Sequence, residues 1–363
     1  MAAMPIFLAA LAAGLTFQSG WWQPALPNYR YRFPSDYGAH ERSQSEWWYY
    51  TGNLSDRRRR RYGFELTVFR FGVQRPLPHR SPWDIDDVYF AHYAISDMAG
   101  KRFYYFDRAG RAALGLSGAA VGDENAWVGA WRVRRDRDGF HRLAARAGGT
   151  ALQLVLKPKK AAVIQGRAGV SRKGPCPNCA SHYYSFTRLV GHGTLALGGA
   201  SAAVSGVAWN DHEWGSDELA PGVVGWDWFS IQLSDDVEIM LYRLRYADGR
   251  SVPQSSGTLI EPNGSARYLS LSDFSIAQTR SWLSPHSGGI YPAGWRIRVP
   301  AKSIDLTVTP AMADQELLTA RSTRANYWEG ACDVAGSFAG RRVLGVGYTE
   351  LTGYATAPPG SRM

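Results

Sequence analysis

Alternation is the feature that most limits what this chain can build. "YGFELTVFRF" (Tyr62–Phe71) alternates around Phe64, Leu66 and Val68, and "VYFAHYAIS" (Val88–Ser96) and "LQLVLKP" (Leu152–Pro158) carry the same period of two. Side chains two apart share a face of a strand, so each run predicts one. "WFSIQLSDDVEIMLYRLRYADGR" (Trp228–Arg250) reads as strand, tight turn and strand, ending in the hairpin-turn pair Asp248-Gly249. "VLGVGYTELTGY" (Val343–Tyr354) predicts a closing strand. Helical spacing is scarce. Met312–Arg321 could hold one or two turns. With 14 Trp, 19 Tyr and 39 Gly in 363 residues, composition favours strands and turns as well.

A weak internal repeat divides the chain. "WYYTGNLSD…ELTVFRF", from Trp48, and "WFSIQLSD…EIMLYRL", from Trp228, share an aromatic start, a strand, a Ser-Asp turn and a second strand opened by Glu. Two similar β units follow, over 37–200 and 201–355, with the small-residue stretch Leu197–Gly206 as their junction. Many antiparallel strands with few crossover helices predict closed barrels or strongly curved sheets, and barrels of this size can hold one small apolar ligand.

The first 20 residues read as a signal peptide: the apolar stretch Met4–Phe17 is short for a bilayer span and is followed by Gln18, Ser19 and Gly20. Its n-region lacks Lys and Arg, and the alternatives are a retained membrane anchor or a buried N-terminal segment. Cys176 and Cys179 form a C-x-x-C between Gly, Pro and Asn, a loop setting that suits a local disulfide in an exported protein, and Cys332 reads as a buried thiol. The net charge is +10, with five consecutive arginines at Arg57–Arg61. That run is either a solvated turn or a contact for anionic headgroups or an acidic partner. Other basic residues are scattered, which argues against nucleic acid.

Standard catalytic signatures are missing. There is no G-x-S-x-G, H-E-x-x-H, Walker loop or G-x-G-x-x-G, so no zinc, nucleotide or nicotinamide cofactor is expected. What stands out is polar residues among apolar ones. Asp227 shares a face with Phe229, Ile231 and Leu233, and a carboxylate so placed is paired or held uncharged. Asp211 and Glu213 align with Val207 and Trp209, whereas His212 points the other way. A metal at these three consecutive residues is disfavoured, because they alternate between faces. Glu46 aligns with Trp48 and Tyr50, His92 lies between Phe90 and Ala94, and Glu350 between Tyr348 and Thr352. Each of these could instead be a hydrogen-bonded strut.

The blocks "SEWWYYTGNL", "FAHYAISD", "SHYYS", "SGVAWNDHEWGS", "GWDWFSIQLSDDVEIMLYRLR", "YWEGACDVAG" and "GYTELTGY" together resemble the AttH-like family over roughly Tyr37 to Tyr354. That family includes bacterial carotenoid 1,2-hydratases (hydroxyneurosporene synthases) and is related in fold to fungal Diels–Alder cyclases. The resemblance implies an all-β protein of two tandem lipocalin-like (calycin) antiparallel barrels. It also implies a His-x-Trp element and an aspartate acid, matched here by His212, Trp214 and Asp227. The hydratases carry a tyrosine two residues before the aspartate; this chain has Gly225.

These readings combine into an expectation: an exported, cofactor-independent hydratase or hydrolase acting on a long apolar isoprenoid or lipid. Asp227 would be the acid, His212 would position water, and Trp226, Trp228 or Trp214 would hold a developing cation. Glu46, Trp48, His92, Tyr184, Asp211, Glu213 and Glu350 would line the substrate site. The alternative is a lipocalin-type carrier that binds such a molecule without chemistry.

Overall fold

The computed structural model describes residues 21–355 apart from 74–80, 82–83, 217–218 and 320. The signal-like segment Met4–Phe17 lies outside the described residues. Among the described residues no helix is long and apolar enough to cross a membrane. The fold is nearly all β, and every strand pairing is antiparallel.

A 13-stranded sheet forms the first unit. Its edge strands, Arg102–Arg111 and Ser117–Ala119, approach each other where Gly110 meets Ser117, and the sheet curls into a nearly closed barrel. A ten-stranded, strongly curved sheet forms the second, its edge strands Ala266–Ser270 and Ser275–Gln278 joined by the short 3-10 turn Leu271–Asp273. The repeat read from sequence has a structural counterpart. Ser45–Asp56 pairs with Arg61–Gly72 and with the first unit's last strand, Ala200–Gly215. Val223–Leu233 pairs likewise with Glu238–Tyr246 and with the second unit's last strand, Arg341–Thr352.

Two expectations need correction. The stretch Leu197–Gly206 is not a domain junction. Gly198 and Gly199, both with positive φ, make a tight hairpin, and Ala200–Gly215 runs on through the middle of the first sheet. The boundary therefore falls after Gly215, not at residue 200. Met312–Arg321 contributes the short strand Glu316–Leu318, paired with Asn326–Phe338, instead of helical turns. The neighbouring strand's ladder captured a weak local preference there.

Each unit has its own apolar interior, and a third cluster, with Tyr49, Tyr183, Trp209, Trp228, Met240 and Tyr348, lies between them. The units meet through the outer faces of their longest strands. Gly63 permits close approach: a Cβ there would lie 2.7 Å from the Ala331 Cβ. A register shift between Phe186 and Leu189 accommodates Thr187 and Arg188, and Arg188 reaches across to Glu238 (2.5 Å) and the Leu233 carbonyl (2.8 Å). The arginine run forms a hairpin tip, with Arg60 paired to Asp56 and Arg61 to Asp333. Cys176 and Cys179 are joined in a disulfide, and Cys332 is buried.

Candidate active site between the two barrels

Alternation decides where each side chain goes. In Ser45–Asp56, Glu46, Trp48 and Tyr50 turn into the first barrel, while Trp47 and Tyr49 turn outward. In Ala200–Gly215, His212 and Trp214 turn inward, whereas Asp211 and Glu213 turn outward. In the second unit Asp227 points inward, while Trp226 and Trp228 point back toward the first. The outward faces enclose a cavity of about 110 Å³. One water needs roughly 10–15 Å³ on this measure, so the space admits a guest several atoms across.

Carboxyls and aromatic rings share this cavity. Asp211 accepts from the Tyr183 hydroxyl (2.7 Å), Ser185 (2.5 Å) and the Trp209 indole (2.6 Å), and Tyr183 in turn accepts from the Trp228 indole (3.2 Å). Even with three donors, burial pushes the Asp211 carboxyl up to about 7. Glu213 is held by Lys173 (2.7 Å) and Ser181. Opposite them, Glu329 accepts from Tyr49 (3.0 Å), and Glu350 takes the Trp226 indole N–H. Burial raises Glu350 to about 8, with Glu65, Asp211 and Glu213 adding to the rise. Glu329 is raised well above the carboxylate range by burial and then by Glu65 and Glu350. Just behind the wall, burial lifts Glu65 to about 7, although Thr67 and Tyr327 donate to it. Among the described residues no arginine or lysine pairs with Glu65, Glu329 or Glu350.

His92 belongs to the same junction. Its ring contacts the Tyr327 hydroxyl (2.5 Å) and Ser322 (2.9 Å), both from the second unit, and burial lowers it to about 3, so it is neutral. Ser322, His92, Tyr327 and Glu65 thus form one hydrogen-bonded chain across the domain boundary.

Asp227 does not line the cavity, and its partners are cationic instead of apolar. It is fully buried, but Arg243 donates to one oxygen (Nε at 3.0 Å) and Arg245 and Tyr354 to the other (3.0 and 2.8 Å). Its neighbour Gly225 leaves no room for a tyrosine, since a Cβ there would lie 2.3 Å from the Thr352 carbonyl. His212 is equally remote from the cavity. It sits inside the first barrel between Tyr184 (3.0 Å) and Glu46 (2.9 Å), with Trp48 stacked on it at 4.8 Å and Trp214 tilted against it at 4.9 Å. Burial lowers His212, while the Arg70 guanidinium overrides burial at Glu46 and holds that carboxyl well below its usual range. The expected set is therefore split three ways. Trp226, Trp228, Asp211, Glu213 and Glu350 meet at the cavity, with His92 at its back; Glu46, Trp48, Tyr184, His212 and Trp214 form a separate cluster; Asp227 stands apart in the second barrel.

The sequence reading missed Glu65, Glu329, Tyr49, Tyr183 and Lys173. Glu329 and Tyr49 lie in the quoted blocks "YWEG" and "WWYYT", and an acid in the middle of a strand among rings was the available signal. His40, which contacts Glu46, was missed as well.

A family profile described as AttH-like matches residues 24–354. A Nitrosomonas europaea chain, solved as an AttH candidate, is similar at 33% identity with a TM-score of 0.84, covering 92% of this chain and 100% of that one. Kievitone hydratase from Nectria haematococca shares the fold at 14% identity, with a TM-score of 0.69 and coverage of 92% and 98%. CghA, solved with Sch210972, shares it at 12% identity, with a TM-score of 0.54 and coverage of 86% and 89%. The chain finds no match among curated proteins.

Proposed function

The chain belongs to the AttH-like family, and from that premise we propose that it is an acid–base enzyme of the hydratase type, working in the cavity between its barrels on an apolar small molecule. One observation carries the reading: Glu350, raised to about 8, faces an indole-lined cavity with no cation paired to it among the described residues. A carboxyl kept neutral at pH 7 can donate a proton to an alkene, which water cannot do at useful rates.

The step balances on this residue alone. Glu350 gives its proton to one alkene carbon, and positive charge develops at the neighbouring carbon beside the Trp226 and Trp228 rings. Water adds to that carbon and returns a proton to the Glu350 carboxylate, so the net change is addition of one water. Glu350 is kept neutral first by burial and then by Glu65, Asp211 and Glu213, while Glu329 stands directly opposite it on the neighbouring strand. Likeness to a structure named as a hydratase agrees with this reaction class. An isoprenoid or lipid substrate suits the apolar walls, and export suits the disulfide.

The test is incubation with a panel of isoprenoid alkenes in oxygen-18 water, after mass spectrometry of whatever co-purifies from the native host. Labelled alcohol that disappears in Glu350→Gln, with ligand still retained, supports the enzyme. Retained ligand with no product from any alkene points to a carrier instead.

A further inference from the structure

We propose that the cluster His40–Glu46–His212, inside the mouth of the first barrel, is a binding site for one divalent transition ion of the zinc class. This inference is independent of the reaction assigned to the cavity, which lies on the other face of the same strands. His40 Nδ1, Glu46 Oε1 and His212 Nε2 converge so that all three atoms lie within 4.8 Å of one another. Two imidazoles and a carboxylate form the donor set that zinc takes in open sites, with a fourth position left for water.

The surroundings are those of a metal site as well. Ligating histidines characteristically engage a carboxylate, carbonyl or hydroxyl through the second ring nitrogen, which fixes the ring and its tautomer. His40 presents Nε2 to Asp36 (3.5 Å), and His212 presents Nδ1 to the Tyr184 hydroxyl (3.0 Å). The second oxygen of Glu46 is fixed by Arg70 (3.0 Å) and by the His40 backbone N–H (3.0 Å), which also reaches Oε1 (3.2 Å), and Oε1 meets both rings. Indoles lock both rings: Trp214 stacks on His40 at 3.8 Å and 4°, and Trp48 on His212 at 4.8 Å. Glu46 and His212 are fully buried while His40 is partly exposed, so an ion would enter past His40.

The three groups now touch, His40 and His212 lying 2.7 and 2.9 Å from Glu46 Oε1. Zinc–ligand bonds of about 2.0–2.1 Å in a tetrahedron separate donors by roughly 3.4 Å. Each imidazole would part from the carboxylate oxygen by about half an ångström, with the ion replacing the hydrogen-bonding protons between them. His40 comes from the segment before the first strand, whereas Glu46 and His212 come from paired strands. A bound ion would therefore clip the N-terminal segment onto the barrel.

The experiment uses the full chain without a histidine tag, its disulfide intact, stripped with a chelator and titrated with zinc chloride against a chromophoric competitor. One zinc per chain is expected, and cobalt(II) in its place should give the intense visible bands of a four-coordinate ion. His40→Gln should weaken zinc binding about 100-fold or more. Tyr184→Phe, which keeps all three ligands, should weaken it about tenfold, as outer-shell changes do. His286→Gln, at the exposed pair with Asp314, should change nothing. Circular dichroism reports whether each variant is folded. Absence of stoichiometric zinc, or unchanged affinity in both His40→Gln and Tyr184→Phe, overturns the site and leaves a hydrogen-bonded strut. Neither result bears on alkene hydration.

Discussion

Glu329 and Glu350 stand directly opposite each other on neighbouring antiparallel strands, both facing the first barrel. Paired carboxyls in a dry site cannot both ionise cheaply. Glu350, with an ordinary value of 4.5 and a folded value of about 8, binds more protons in the folded than in the unfolded state between those limits. Folding stability should therefore fall as pH rises from about 4.5 to 8. Glu65, Glu329 and Asp211, also raised by burial, share in the slope, and Glu213 and Lys173 face the same cavity. Glu350→Gln should flatten it, read as melting temperature against pH. The same variant should lower turnover by about 10²–10⁴ while binding persists. Unchanged turnover would remove Glu350 from the chemistry.

Burial raises Glu65 and Glu329 on either side of the domain boundary, and Glu65 adds to the cost of ionising Glu329. Glu65→Gln should be nearly neutral at pH 6, where both carboxyls are protonated. At pH 9 it should stabilise, because the buried Glu65 carboxyl, raised to about 7, no longer has to ionise in a site that disfavours its charge. Urea midpoints at the two pH values check this, and a variant less stable than the parent at pH 9 contradicts it.

Asp227 shows what the sequence made legible and where its signal stopped. Its inward orientation beside Phe229 and Ile231 follows from alternation alone. Its partner follows from register: a hairpin closed between Leu233 and Val237 sets Arg243 opposite Asp227. The tight turn is readable in the sequence, but the arginine it sets across the strand pair depends on the register. The cavity was harder to see. Trp47, Tyr49 and Phe69 lie on faces that alternation assigns to solvent, because in a lone barrel the face opposite the core is wet. Here those faces are covered by the second barrel, a contact between residues such as Tyr49 and Glu329 that lie 280 positions apart. The repeat made two barrels legible. Their junction was displaced because Gly198-Gly199 resembles a linker and acts as a hairpin turn.

Asp227→Asn should destabilise the protein without emptying the cavity. It removes a charge from between Arg243 and Arg245, leaving two guanidiniums facing a neutral amide. The loss should be about 3 kcal/mol, the lower end for breaking a buried pair, because Arg243 keeps some solvent. The denaturation midpoint should drop at constant m-value, with cavity ligands still bound. Lost turnover in a variant of undiminished stability would restore Asp227 as the acid.

Gly63 and Ala331 test whether the two barrels are held in one arrangement. A Cβ at Gly63 would lie 2.7 Å from the Ala331 Cβ, closer than carbon atoms pack. Both residues sit on long strands, Arg61–Gly72 and Asn326–Phe338, so the strain cannot be relieved by moving a flexible side chain. Gly63→Ala should cost about 1–3 kcal/mol, as overpacking does. If the cost arises from this contact, Ala331→Gly should recover much of it in the double variant, giving a coupling of roughly 1 kcal/mol in a double-mutant cycle. The overpacked variant should also bind cavity ligands more weakly, since separating the barrels moves Tyr49 and Phe69 away from Trp228 and Glu329. Additive effects of the two substitutions would mean that the barrels do not meet at this point.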